Sequence, residues 1–140
     1  MAFLIGIGAA LMIGAFGSLT GLDRERGFYP TILTAIASYY ILFAVMGGSL
    51  SALGPELLIF AIFAGVAARG FRSDLRLVIA GLFLHGVMDA FHGGLVSNPG
   101  VPFWWPAWCG AYDVAASAYL AVLVWRGRVP QPLAFTGKAP

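Results

Sequence analysis

The sequence predicts an all-α polytopic membrane bundle of five transmembrane helices, and three observations predict it. Of 140 residues, 60% are hydrophobic and only 10% are charged, whereas a soluble domain carries roughly 25% charged residues. So few charges cannot coat a water-facing surface, and lipid must be the solvent for most of the chain. The mean hydropathy of +0.88 is gathered in long unbroken apolar runs. These lack the alternation of roughly ten-residue barrel strands, so helices must satisfy the backbone inside the bilayer. Finally, the basic residues fall between alternate runs, as they do in chains that cross a membrane repeatedly.

The first span is expected from Ala2 to about Thr20. It has no basic residue before its apolar run and several after it, the reverse of a secretory signal, so it reads as a retained helix. Gly6, Ala10, Gly14 and Ser18 recur at every fourth position; such a stripe lets another helix approach closely. It makes a membrane-protein partner or a homo-oligomer the expected use of this helix. The loop GLDRERGFY, read as solvated with local ion pairs, leads to a second span from Pro30 to about Gly48. The third is expected from Pro55 to about Ala68, short for a crossing, and the fourth from about Leu75 to Val96. The turn Asn98–Pro99–Gly100 and an aromatic segment precede the fifth, from Pro106 to about Trp125. Pro30, Pro55 and Pro106 are each read as helix openers, because a first-turn N–H has no intrahelical partner to lose. Residues 1–128 form one transmembrane domain, and residues 129–140 read as a short cytoplasmic tail.

All eight basic residues fall in the loop after the first span, beside the loop after the third, or after the fifth. Five crossings put them on one side, which the positive-inside rule makes cytoplasmic and which leaves the N-terminus outside. The expected location is integral to a membrane, the plasma (inner) membrane if the chain is bacterial. Phe103, Trp104, Trp105 and Trp108 are expected as an outer aromatic belt, with Phe28, Tyr29, Phe71 and Trp125 at the inner interface. A net charge of +2 and a pI near 9.0, with the basic residues scattered between apolar runs, do not suggest nucleic acid. The partner expected for most of the surface is the lipid bilayer.

Function rests on the stretch Leu82 to Asp113, which holds both histidines, the single cysteine and two of the six acidic residues. His85, Asp89 and His92 are four and then three residues apart, within roughly 60° of arc on one helix. An aspartate at mid-span costs roughly 2.5–3.5 kcal/mol, so this stripe must face the bundle and find partners. Cys109, Asp113 and Ser117 share a face of the next helix, with Tyr112 beside it, and Asp113 comes to a depth similar to that of Asp89. Glu56, with Tyr39 and Tyr40 near the middle of the second span, completes an expected pocket opening outward. The pocket is expected to bind a divalent metal or a small polar or amphipathic ligand; carboxylate and imidazole one turn apart suit a metal such as zinc or iron, with His85, Asp89 and His92 as candidate ligands. His85 and His92, roughly 10 Å apart along the axis, are too distant to share one ion, so one would bind it while the other supports or carries protons. Cys109 is read as a small apolar filler.

The run HGVMDAFH followed by NPGVPFWWPAWCGAYD resembles a pattern in small bacterial integral membrane proteins of unknown function; the resemblance implies no activity. The His–x3–carboxylate spacing is also similar to that of membrane sterol isomerases and metal-dependent membrane hydrolases, whose other motifs are absent. If the chain is an enzyme, hydrolysis or isomerisation of a lipid-like substrate is expected, with His85 and Asp89 as ligand or acid–base groups oriented by Asp113. Two rival roles are a proton relay or transporter along His92, Asp89, His85 and Asp113, and a non-catalytic subunit assembled through the first helix. A purely structural cross-link between helices competes with all three.

Overall fold

The computed structural model describes residues 1–130; the rest of the expected tail, with Pro132 and Lys138, lies outside the described residues. The fold is all-helical: α1 Ala2–Thr20, α2 Phe28–Met46, α3 Leu50–Arg72, α4 Arg76–Leu95 and α5 Trp105–Trp125, with one 3₁₀ turn at Leu22–Arg24. Each of the five is long and apolar enough to cross a membrane.

Helix α1 packs on α5, α5 on α4, and α4 on α3 and α2, which also pair with each other. The small-residue face of α1 meets α5 of the same chain. A Cβ added at Gly6 would fall 2.2 Å from the Trp108 carbonyl oxygen, and one at Gly14 would fall 2.9 Å from the Tyr119 ring. Ser18 continues the seam with hydrogen bonds to Tyr119 Oη at 2.8 Å and Asp23 Oδ2 at 2.6 Å. The other face of α1, including Leu4, Met12 and Phe16, is exposed, as a lipid-facing surface should be.

The seven described arginines all lie in or beside the connections after α1 and α3 and the segment after α5. Arg26 draws these together at one end of the bundle. It donates from Nη2 to the carbonyls of Gly70 and Ser73, from Nε to Phe71 and from Nη1 to Pro130. Val129, at the start of the expected tail, is buried in the core.

The largest departure from the sequence reading is α3, which begins five residues before Pro55 and runs through Arg72. Ser49 caps it, its Oγ accepting from the Ala52 N–H at 3.2 Å, and this satisfies one of the orphan donors of the first turn. Pro55 sits inside the helix, where it removes one hydrogen bond. At the other end Arg69 and Arg72 occupy the last turn, where cations complement the helix dipole. Pro30 and Pro106 fall within the first turns of α2 and α5, where proline is tolerated.

Register sorts the aromatic residues. Phe103 and Trp125 are fully out, at 96% and 85% exposed. Trp105 and Tyr29 belong instead to the core. Trp105 packs on Phe43 and Tyr39, with ring centroids 4.9 Å away in both cases. It shares the buried face of α5 with Cys109, Asp113, Ala116 and Leu120, so it was membership of a helix face, and not aromatic character, that placed it.

Candidate metal centre

A tight approach of α4 and α5 sets the site. Gly86 and Gly110 face each other: a Cβ on Gly86 would lie 2.8 Å from the Gly110 carbonyl oxygen, and one on Gly110 would lie 2.9 Å from that of Gly86. Only glycine lets the backbones come this near. The residue before each glycine and the one three positions after it are thereby brought together, namely His85 and Asp89 on α4 with Cys109 and Asp113 on α5.

His85 Nδ1 lies 2.7 Å from Asp113 Oδ2 and 3.8 Å from Asp89 Oδ2. Cys109 Sγ donates to Asp113 Oδ2 at 3.9 Å. One ligand atom from each of these four residues lies within 4.8 Å of all the others. All four are buried, His85, Cys109 and Asp113 completely. His85 Nε2, Asp89 Oδ2 and Asp113 Oδ1 have no hydrogen-bond partner. Buried polar atoms are normally paired, because an unpaired one costs about 1–3 kcal/mol. Three such atoms fall within this cluster; Glu56 Oε2, Tyr29 Oη and Trp105 Nε1 are also without a partner among the described residues.

Tyr40 joins this cluster to a second one. Its hydroxyl donates to Asp89 Oδ1 at 2.6 Å, while its ring stacks on His92 with centroids 3.9 Å apart. His92 Nε2 lies 2.9 Å from Glu56 Oε1 on α3. Asn98 donates to the same Glu56 oxygen at 2.9 Å and to the Tyr40 carbonyl at 3.0 Å. The second cluster thus ties α2, α3 and α4 to the α4–α5 connection. Gly100 completes the joint. A Cβ there would sit 1.8 Å from the Phe43 carbonyl oxygen, so the Asn98–Pro99–Gly100 turn lies directly against the end of α2.

The structure therefore gathers His85, Asp89, Asp113 and Cys109 in one place and puts His92 and Glu56 in another. Tyr39 is 40% exposed and rests on Trp105, one residue out of phase with the site. Tyr112 is buried but stacks on Trp108, and Ser117 Oγ turns back to the Val114 carbonyl at 3.0 Å. Of the expected pair Tyr39 and Tyr40, only Tyr40 reaches the site, and Asn98 is the contributor that sequence reasoning did not place there. Tyr40 had a signal, since Leu33, Ala37, Tyr40 and Ala44 follow helical spacing and are all buried. Asn98 reads from sequence only as a turn residue, and its side chain does two jobs at once.

On the arginine side of His85 the buried face of α4 carries Leu82, Gly81 and Val78. Gly81 is close-packed by Leu33 and Val66. Among the described residues, the hydrogen-bonded polar chain has no further member in that direction. No family model, curated protein or solved structure matches this chain.

Proposed function

We propose that this chain is an integral membrane protein, N-terminus outside and C-terminus cytoplasmic, that holds a divalent metal ion such as zinc or iron between α4 and α5. The donors are His85, Asp89, Cys109 and Asp113. One observation carries the reading: four buried ligand atoms lie within 4.8 Å of one another, two of them from carboxylates, with no arginine or lysine among them. A charge at the centre of a bilayer costs roughly 2.5–3.5 kcal/mol even on insertion scales. A divalent cation offsets the charge of the two carboxylates; without one, a buried carboxylate must take up a proton to become neutral. Ligands at roughly 2.0–2.3 Å from a tetrahedral ion stand about 3.3–3.7 Å apart, so the widest pair must close by about 1 Å. That is within reach of side-chain rotation on a fixed helix pair.

The helix-tie alternative explains the Tyr40–Asp89 and His92–Glu56 contacts. It leaves three unpartnered atoms in the deeper cluster, against one, Glu56 Oε2, in the second. A relay across the whole membrane is disfavoured by the apolar packing beyond His85. A bound ion would polarise an oxygen or activate a water, and the chemistry that suits this setting is hydrolysis or isomerisation of a lipid-like molecule in the plasma membrane. Here His85 and Asp89 would be ligand or acid–base groups, and Asp113 would fix the ring.

Cobalt(II) titration of metal-stripped protein in detergent tests this. Saturation at one ion per chain with a thiolate charge-transfer band, and loss of that band in Cys109→Ala, is the expected result. Failure of wild-type protein to bind cobalt(II) or zinc(II) saturably would end the metal reading. Metal-free protein that co-purifies with a stoichiometric membrane partner would favour the assembly role instead.

A further inference from the structure

A cavity of about 570 Å³ lies between α1, α4 and α5, within the range of roughly 300–1,000 Å³ typical of small-molecule sites. It exists because six lining positions are glycine or alanine: Gly86, Ala90, Ala107, Gly110, Ala111 and Ala115. Phe3 and Ile7 of α1 form the far wall, and Phe103 stands at the rim. These walls belong to helices whose outer faces are apolar and exposed, so the opening is to lipid. One lining residue is ionisable, and it is Asp89. Asp89 is 2% exposed and its Oδ2 has no partner. A Cβ on Gly110 would stand 3.7 Å from that oxygen, so the carboxylate lies just beneath the α5 wall of the cavity, itself buried.

From this geometry we infer that the cavity admits a hydroxyl-bearing lipid with a slender apolar body, entering laterally with its hydroxyl toward Asp89. The inference takes the cluster proposed above as its polar end. The walls select the body by apolar contact. The floor selects the head. A carboxylate oxygen without a donor calls for an O–H or N–H group. An adjacent cation calls for a lone pair on the same head. A hydroxyl supplies both, whereas an ammonium has no lone pair and a carboxylate adds like charge. A second cavity, of about 320 Å³, touches His92 and Asn98 and shares Phe103 and Pro106 with the first. Those two residues therefore separate a lipid-side approach from one on the α4–α5 connection.

Photolabelling of the full chain in detergent–lipid micelles tests this, using a long-chain primary alcohol with a diazirine in its tail. Matched alkane, amine and carboxylate probes give the comparison, and peptide mapping locates the label. The alcohol should label α1 near Ile7 and α5 near Ala107, at least about tenfold above the alkane, the range expected when a hydrogen bond to a charged group is gained. Ala107→Phe, which fills the cavity from an exposed position away from the metal donors, should abolish that labelling and leave metal content unchanged. If Ala107→Phe does not accumulate, Ala90→Leu fills the same space from α4. Equal labelling by alcohol and alkane, preference for the amine, or labelling that survives both fillings would overturn the inference. Selective, blockable labelling of protein without metal would uphold it while removing the metal reading; metal-loaded protein without selectivity would do the reverse.

Discussion

Alanine at Gly86 should loosen the whole site without altering a single donor. Its new Cβ would meet the Gly110 carbonyl oxygen at 2.8 Å, Asp113 Cβ at 3.1 Å and Val114 Cγ2 at 3.2 Å. The first of these is backbone and cannot swing away, and it is about 0.6 Å short of an ordinary contact at 3.4 Å. If α4 and α5 part by about that much, the His85–Asp113 distance of 2.7 Å grows to about 3.3 Å, beyond the usual hydrogen-bond range. A gap of about 0.5–1 Å also forfeits a quarter to a half of the dispersion attraction across the seam. Overpacking of this kind costs about 1–3 kcal/mol, against a helix-propensity gain of about 0.5–1 kcal/mol for replacing glycine. The net expectation for Gly86→Ala is a loss of about 0–2.5 kcal/mol, and about 1–3 kcal/mol relative to an unhindered glycine-to-alanine change, together with weaker metal retention. Gly93→Ala is the control, since a Cβ there meets nothing within 4 Å and should only stabilise α4. Unfolding of both variants in the same detergent, followed by tryptophan fluorescence, measures the difference. Gly86→Ala as stable as Gly93→Ala would refute the close-crossing argument.

Other expectations follow from the same geometry. Tyr40→Phe leaves Asp89 Oδ1 without its donor and should destabilise by about 1–3 kcal/mol, whereas Tyr39→Phe should be neutral; equal effects in the same unfolding assay would contradict the placement of Tyr40. Asn98→Ala removes both bonds to Glu56 and the Tyr40 carbonyl and should raise proteolysis of the α4–α5 connection, read by limited digestion; an unchanged digestion pattern would count against its bridging role. A reporter that functions only in the cytoplasm should be active when fused to the C-terminus and inactive at the N-terminus, and the opposite pattern would invert the proposed topology.

The helices were legible in the sequence because lipid imposes a length and a composition that few other constraints resemble. Boundaries were less so. Pro55 looks like a helix opener, and only the Ser49 cap, several residues earlier, shows where α3 starts. The face carrying His85, Asp89 and His92 was legible from spacing alone, as was the pairing of Asp113 with α4 from depth. What spacing could not reveal was the division of that face. Glu56 lies far away in sequence, and it draws His92 to α3 while α5 draws His85. Cys109 looked like filler because a lone cysteine usually is; it joins the cluster because the Gly86–Gly110 crossing brings its turn of α5 against Asp89. Tyr39 and Tyr40 are adjacent and chemically identical, so only the phase of α2 separates them, and phase is weakly marked on a helix that is apolar on every side.

The central claim is the ion between α4 and α5, and element analysis of chelator-free, detergent-purified protein tests it most directly. Wild type and Phe83→Ala, altered on the exposed face of α4, should each carry about one divalent ion per chain. Asp89→Asn preserves shape and a hydrogen-bonding oxygen but removes the charge, and it should be empty, as should His85→Ala. Loss of a direct ligand should exceed the roughly 10–100-fold weakening that follows loss of an outer partner. Wild-type protein devoid of metal, with Asp89→Asn equally stable, would contradict the account and leave the cluster as a joint between helices.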